Sequence, residues 1–456
     1  MTEIINIIML NPLGSMGLLF FFGVIIASLR GWIPQDVLPV QSALMLTTLL
    51  LAILAVLFGK PINIKDITSN IFLHPITALI GGFLVAGALE AAGAFRAAID
   101  ILERTSRTPL GLPGTVAILV NMPTIFAMPC GRILAAALIP AAILFGHILA
   151  QRRKSSILAS VVVFGFIVNA AASCGPSPLG GIGMVGEGMA GSLKIPGIGL
   201  GSFSNAQSIA IMLITGVTML SISFVYRILP DESLVKAEGE AEEKVEKMEK
   251  IHISAYLSLF VFFITIAAVF ILQPPIPIQT ILVILVIVIM VMGDVTIQDL
   301  IGGVILHPIM AMISGFIIAG ALLSIGSFDV LISLLEFLAE TPLGYVGVAV
   351  LMANIPTILP MPCGRIIGMA LMPGIFLLGI TMANSGTFSQ EVIPILLVSF
   401  IINAAASCGP SPLGGIGGIG EGNLGTEIGV SGKPQQVGIM IGTGIAALII
   451  GVLGPI

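Results

Sequence analysis

The string NAAASCGPSPLGGIG begins at Asn169 and, letter for letter, again at Asn403. Two further passages recur in the same order. LHPITALIGGFLVAGAL at Leu73 is answered by LHPIMAMISGFIIAGAL at Leu306, and NMPTIFAMPCGR at Asn121 by NIPTILPMPCGR at Asn354. The separation is 233 residues from His74 to His307 and from Cys130 to Cys363, and 234 from Cys174 to Cys408. A chain duplicated in this way must be built by using one plan twice. Between the copies, Asp231 to Lys250 is a run rich in Glu and Lys, read as a solvated linker.

The plan is written in apolar residues. Of the chain, 57% is hydrophobic and 9% charged, against roughly 25% charged in a soluble domain. Stretches such as Met16 to Ser28, Ala43 to Gly59, Ile251 to Leu272 and Ile281 to Met292 approach the ~20 residues that cross hydrocarbon as a helix. None alternates apolar with polar as a barrel strand would, so the spans are expected to be helical. Met1-Thr2-Glu3 lacks a basic leader, and the first helix is expected to be retained. The net charge of −5 owes much to the linker and gives no reason to expect nucleic acid.

Each half reads as two spans, a short amphipathic segment (Lys60 to Ser69 in the first), and a third span from Pro75 to about Ala94. An interfacial helix follows from Phe95 to Arg107. Val116 to Met128 and Ile133 to Ile148 are then separated only by Pro-Cys-Gly, too abrupt for a loop that reaches water, which predicts a re-entrant hairpin. Ile157 to Ser173 forms a helix that breaks into CGPSPLGGIG, and Ala206 to Tyr226 closes the half. About five spans and a hairpin make an odd count, so the second copy should lie upside down.

Charge gives the same orientation. Sixteen of the 18 Lys and Arg residues precede residue 251, and Arg96, Arg104 and Arg107 are replaced at matched positions by Asp329, Phe337 and Glu340. The positive-inside rule places the base of the first hairpin and the linker in the cytoplasm and the second base outside. Lys60 and Lys65 go against it. The expected fold is thus an all-α polytopic membrane protein of two inverted repeats, 1–228 and 253–456, joined by a cytoplasmic linker, 229–252, in the cell (inner, cytoplasmic) membrane.

Helix breaks within hydrocarbon free backbone groups that only a polar cavity satisfies, and Pro and Gly favour such breaks. The candidate substrate site is therefore the tips Pro129, Cys130, Gly131, Arg132 and Pro362, Cys363, Gly364, Arg365, with the unwound stretches Ser173, Cys174, Gly175, Ser177 and Ser407, Cys408, Gly409, Ser411. Arg132 and Arg365 read either as anion anchors, aided by the helix N-termini at the tips, or as structural partners of Glu187 and Glu421. Asn121, Thr124, Asn169, Asn354, Thr357, Asn403, Glu187 and Glu421 are candidates for a coupling ion, since sodium takes oxygen ligands. The competing reading makes the Asn and Thr residues interhelical hydrogen-bonding groups.

Other residues carry less. Four cysteines, one per break, suit small buried positions better than a disulfide framework or a soft-metal site. His74 and His307 precede Pro at a span's start, and Glu90 is answered by Leu323, so the repeat does not double it. No enzyme signature and no cofactor motif is apparent.

The passage from Lys60 to about Glu187, with HPITALIGGFLVAGALEAAG and its second copy HPIMAMISGFIIAGALLSIG, resembles one repeat of the ion transporter superfamily. That superfamily includes divalent anion/sodium symporters and arsenite or antiporter-type carriers. The resemblance implies two inverted repeats, a dimerising scaffold and elevator-type movement. Where the dicarboxylate symporters carry Ser-Asn-Thr at the tips, this chain has Pro129-Cys130-Gly131 and Pro362-Cys363-Gly364. The first expectation is a carrier moving a small anion with sodium or protons. A cation/proton antiporter using Glu187 and Glu421 is the alternative, and a non-transporting membrane scaffold the third.

Overall fold

The computed structural model describes residues 2–34, 37–68, 71, 73–125, 131–153, 157–172, 213–214, 216–217, 251–272, 276–304, 306–359, 364–386, 388–390, 392–406, 437–445 and 448. Among these, every regular element is an α-helix. In the first half these are α1 (Thr2–Leu10), α2 (Pro12–Leu29), α3 (Val40–Leu57), α4 (Ile64–Thr68), α5 (Leu73–Ala91), α6 (Ala94–Ser106), α7 (Gly111–Ile125), α8 (Gly131–Arg153) and α9 (Ile157–Ala172). The second half has α10 (Ile253–Leu272), α11 (Ile278–Gly293), α12 (Ile297–Gly303), α13 (Leu306–Ser324), α14 (Ser327–Ala339), α15 (Gly344–Ile358), α16 (Gly364–Asn384) and α17 (Val392–Ala406). Residues 437–445 are helical as well. The linker and the Ala206 to Tyr226 span fall wholly or mostly outside the described residues.

Proline and glycine set many of these boundaries. Asn11 caps α2 with Pro12 at its first position, and Pro39 and Pro277 precede α3 and α11, where a missing amide costs nothing. Gly93 and Gly326 adopt φ of 77° and 72° and turn the chain between α5 and α6 and between α13 and α14. Only glycine takes that conformation without strain. The turn separates the third span from the amphipathic helix and bends Ile80–Ala91 against Ala94–Ser106 by 65°, and Met312–Ser324 against Ser327–Ala339 by 77°.

Among the described helices, Val40–Leu57 alone is long and apolar enough to cross a membrane unaided, and the two bent pairs qualify only as pairs. Pro12–Ser28, Ile253–Val269, Gln279–Gly293, Gly344–Ile358 and Ala370–Asn384 are shorter apolar helices. The outward faces of α3 and α11 expose Leu46, Leu49, Ile53, Val56, Ile284, Ile287 and Val291, surfaces suited to hydrocarbon. The interior is filled by Phe21, Phe83, Phe166, Phe262, Phe328, Phe376 and Phe400. All-helical and apolar inside and out, the described chain has the character of a helical membrane protein.

The two halves interlock. Helix α5 packs on α11 and α12, while α13 packs on α3 and α4. Helix α6 packs on α10, and α14 on α2. Polar contacts fasten the second exchange: Tyr256 Oη donates to Asp100 Oδ2 at 2.6 Å, and Ser327 Oγ to the Gly14 carbonyl at 2.8 Å.

Candidate functional site

Helix α7 contains Pro123 and α15 contains Pro356. Each proline removes an amide donor, leaving the carbonyl four residues earlier without its helical partner. Around each lies a cluster of two asparagines and a threonine. In the first half, the Thr124 amide and hydroxyl both donate to Asn169 Oδ1, at 3.2 and 3.0 Å. Asn169 Nδ2 donates to Asn121 Oδ1 at 3.3 Å, and Asn121 Nδ2 to the Ala117 carbonyl at 2.8 Å. Because the Thr124 amide can only donate and the Ala117 carbonyl only accept, both carboxamides are fixed in orientation.

The second half repeats the arrangement. Thr357 Oγ1 donates to Asn403 Oδ1 at 2.6 Å, Asn403 Nδ2 to Asn354 Oδ1 at 2.9 Å, and Asn354 Nδ2 to the Val350 carbonyl at 2.8 Å. Asn169, Asn354, Thr357 and Asn403 are buried, whereas Asn121 and Thr124 are partly exposed. Helices α7 and α9 are thereby tied together, as are α15 and α17, and α9 packs on α17.

Six of the residues expected to serve a coupling ion are thus brought together as two clusters, with their polar atoms bonded to one another. Among the described residues the arrangement holds no ionisable group, and the six side chains themselves do not titrate between the ordinary carboxylate and lysine ranges. Its direct effect is registry: sliding either arm would strand carboxamide groups in an apolar interior, at ~1–3 kcal/mol for each unsatisfied group.

Gly131 and Arg132 lie in α8, and Gly364 and Arg365 in α16. In the second half, α15 ends at Ile358, where Leu359 leaves helical geometry. His74 and His307 are the second residues of α5 and α13. Pro129, Cys130, Ser173, Cys174, Gly175, Ser177, Glu187, Pro362, Cys363, Ser407, Cys408, Gly409, Ser411 and Glu421 lie outside the described residues.

One member of the second cluster escapes a reading of the sequence. Asn403 Nδ2 also donates to Thr443 Oγ1 at 3.4 Å, and the Thr443 hydroxyl donates to the Ile439 carbonyl at 2.7 Å. The signal that points to it is a weaker repeat: AQSIAIMLITG at Ala206 aligns with PQQVGIMIGTG at Pro434, pairing Thr215-Gly216 with Thr443-Gly444. No family model matches the chain, and no curated protein is significantly similar to it.

Proposed function

We propose that this protein is a secondary active transporter of the inner (cytoplasmic) membrane, a multi-pass carrier of a small anion driven by sodium or protons. The observation that carries the reading is the doubled Met-Pro-Cys-Gly-Arg break, which in both halves follows the helix that carries the Asn and Thr side chains of a cluster. Fifteen residues in α15, which ends at Ile358 with Leu359 out of helical geometry, rise about 22 Å, short of the ~30 Å hydrocarbon core. An arm of that length, ending at Met-Pro-Cys-Gly-Arg, is suited to a re-entrant hairpin whose tip stops near mid-membrane.

At such a tip, a helix that begins beside Arg132 or Arg365 would present free amides and the positive end of a helix dipole, and the arginine would add a planar, permanent cation. Both act on an anion and repel a cation. The reciprocal packing of α5 with α11 and α3 with α13 is what a two-fold relation between repeats produces. With the odd count of spans it favours inverted repeats, whose breaks meet at a shared site. The ion transporter resemblance agrees with this reading and implies a homodimer. The chemistry needs no resident cofactor.

The test is flux into proteoliposomes under imposed sodium or proton gradients, with sulfate, phosphate, acetate and succinate as probes. Transport of at least one anion is expected to fall roughly tenfold or more in Arg132→Lys and Arg365→Lys, the size of a lost charge-assisted hydrogen bond of ~1.5–3 kcal/mol. Normal flux in both variants would remove the arginines from the site. Cation/proton exchange that disappears in Glu187→Gln and Glu421→Gln, without anion flux, would transfer the assignment to an antiporter.

A further inference from the structure

Helix α2 ends in a turn that fixes the one tryptophan of the chain, Trp32. Gly31 takes a φ of 70°, and the amides of Arg30 and Trp32 donate to the carbonyls of Ile26 and Ala27, both at 2.9 Å. In such a turn the residue after the glycine commonly packs its side chain back onto the helix it has just left. Trp32 is instead 75% exposed, as is Val37 further along the connection, and Arg30 is exposed as well.

Its position in the fold says what covers the indole. Helix α2 packs on α3, and the turn leads into α3, the helix that is long and apolar enough to cross a membrane unaided. The 18 residues of α3 rise about 27 Å, close to the ~30 Å hydrocarbon core, so the connection before Val40 falls where hydrocarbon meets headgroups. An indole has a broad apolar face and one N–H donor, and that layer supplies both apolar contact and carbonyl acceptors. Arg30 can lay its methylene stem along acyl chains while its guanidinium meets phosphate. The connection between α10 and α11, Gln273-Pro274-Pro275-Ile276-Pro277, carries neither residue type, so this feature stands outside the doubled plan.

We propose that the turn from Arg30 to Trp32 is a lipid-anchoring surface. Trp32 seats its ring in the carbonyl and headgroup layer of a phospholipid bilayer, Arg30 holds a lipid phosphate, and together they fix the height of the α2 and α3 pair in the membrane. This rests on the membrane-spanning character of α3 and not on transport, so anchoring and flux stand or fall separately.

Because the chain has one tryptophan, its fluorescence reports on this turn alone. The purified full-length protein is reconstituted into phosphatidylcholine vesicles whose lipid carries bromine just below the glycerol carbonyls, midway along the acyl chain, or near its end. Bromine quenches indole emission on contact. Quenching is expected to be strongest for the shallow bromine, roughly twofold or more above the deepest. In Arg30→Ala the ratio of shallow to deep quenching should fall by roughly half, as the turn loses its hold on phosphate. Strongest quenching by either deeper bromine would place the indole in hydrocarbon and overturn the proposal. Absence of quenching by all three would do the same: access to aqueous iodide would then put the turn in water, and protection from iodide would put it under protein, as in a contact with a second copy. An unchanged ratio in Arg30→Ala would remove the arginine from the anchor.

Discussion

Asn11 serves two helices with one carboxamide. Its Oδ1 accepts from the Gly14 amide at 3.0 Å, capping α2, while its Nδ2 donates to the carbonyls of Ile325 and Gly326 at 3.1 and 3.2 Å, at the end of α13. Asn11→Ala loses both functions and should destabilise the protein by ~1–2 kcal/mol, seen as a lower melting temperature in detergent. Asn11→Asp keeps the cap and loses the donated bonds, so it should fall between the two; equality with wild type would show that those bonds contribute nothing. Asp299 offers a residue with a sign to its pH dependence. It closes a capping box at the start of α12, accepting from the Thr296 hydroxyl at 2.6 Å and amide at 2.8 Å. Hydrogen bonding to the Thr296 side chain and then its backbone favours the carboxylate and holds the group below its ordinary value of 3.8. A depressed folded-state pKa gives stability that is complete above the unfolded value and lost as pH falls through the folded one. The melting difference between wild type and Asp299→Asn should therefore be constant at neutral pH and shrink below pH 3.8. A difference that grows on acidification would contradict the assignment.

Helix α2 closely crosses the turn from α13 into α14. A Cβ on Gly14 would lie 2.8 Å from the Gly326 carbonyl oxygen, and one on Gly17 would lie 2.4 Å from Ser327 Oγ. Gly14→Ala must push backbone apart and should cost ~1–3 kcal/mol. Gly23→Ala on the same helix has nothing within 4 Å of the added methyl and should be neutral or stabilising by up to ~1 kcal/mol. Equal melting temperatures for the two variants would refute close packing at Gly14. This crossing also marks what the sequence discloses at the scale of elements. The break near Ala94 was legible, because an apolar run gives way there to a charged one, Phe95 to Arg107; that Gly93 makes the turn was not. The separate helix α1 was not: Thr2–Leu10 is continuous with the following apolar run in composition, and only Asn11, through a bond to residues more than 300 positions away, ends one helix and starts another. Asn121, Thr124 and Asn169 stand out as polar residues in apolar surroundings, but spacing alone does not reveal that their side chains bond to each other. Thr443 was hidden for a related reason: its partner is 40 residues away, and the Gly-rich copy around it has drifted from its twin.

In the whole molecule, neither half is complete without the other. The amphipathic helix of each is fastened to the first long helix of its counterpart, α6 to α10 and α14 to α2, so the apolar cores of the halves are continuous rather than docked. This interlocking does not itself say which way the second half points. The expected orientation rests on charge: Arg96, Arg104, Arg107, Arg152, Arg153 and Lys154 lie in the first copy around the expected hairpin, whereas Asp329, Glu336 and Glu340 lie in the second. Basic loops are retained on the cytoplasmic side, so residues 152–154 should be cytoplasmic and Ser385, which follows α16, external. Both ends are accessible to reagent, since Gln151 and Ser385 are exposed. With the four native cysteines replaced, a membrane-impermeant maleimide applied to intact cells should modify Ser385→Cys at once and Gln151→Cys only after permeabilisation. Single cysteines that react from the same side would make the repeats parallel, and α8 and α16 would then begin from tips entering the same face. Two hairpins from one face could not meet tip to tip across the midplane, and the shared anion site proposed for Arg132 and Arg365 would fall with the topology.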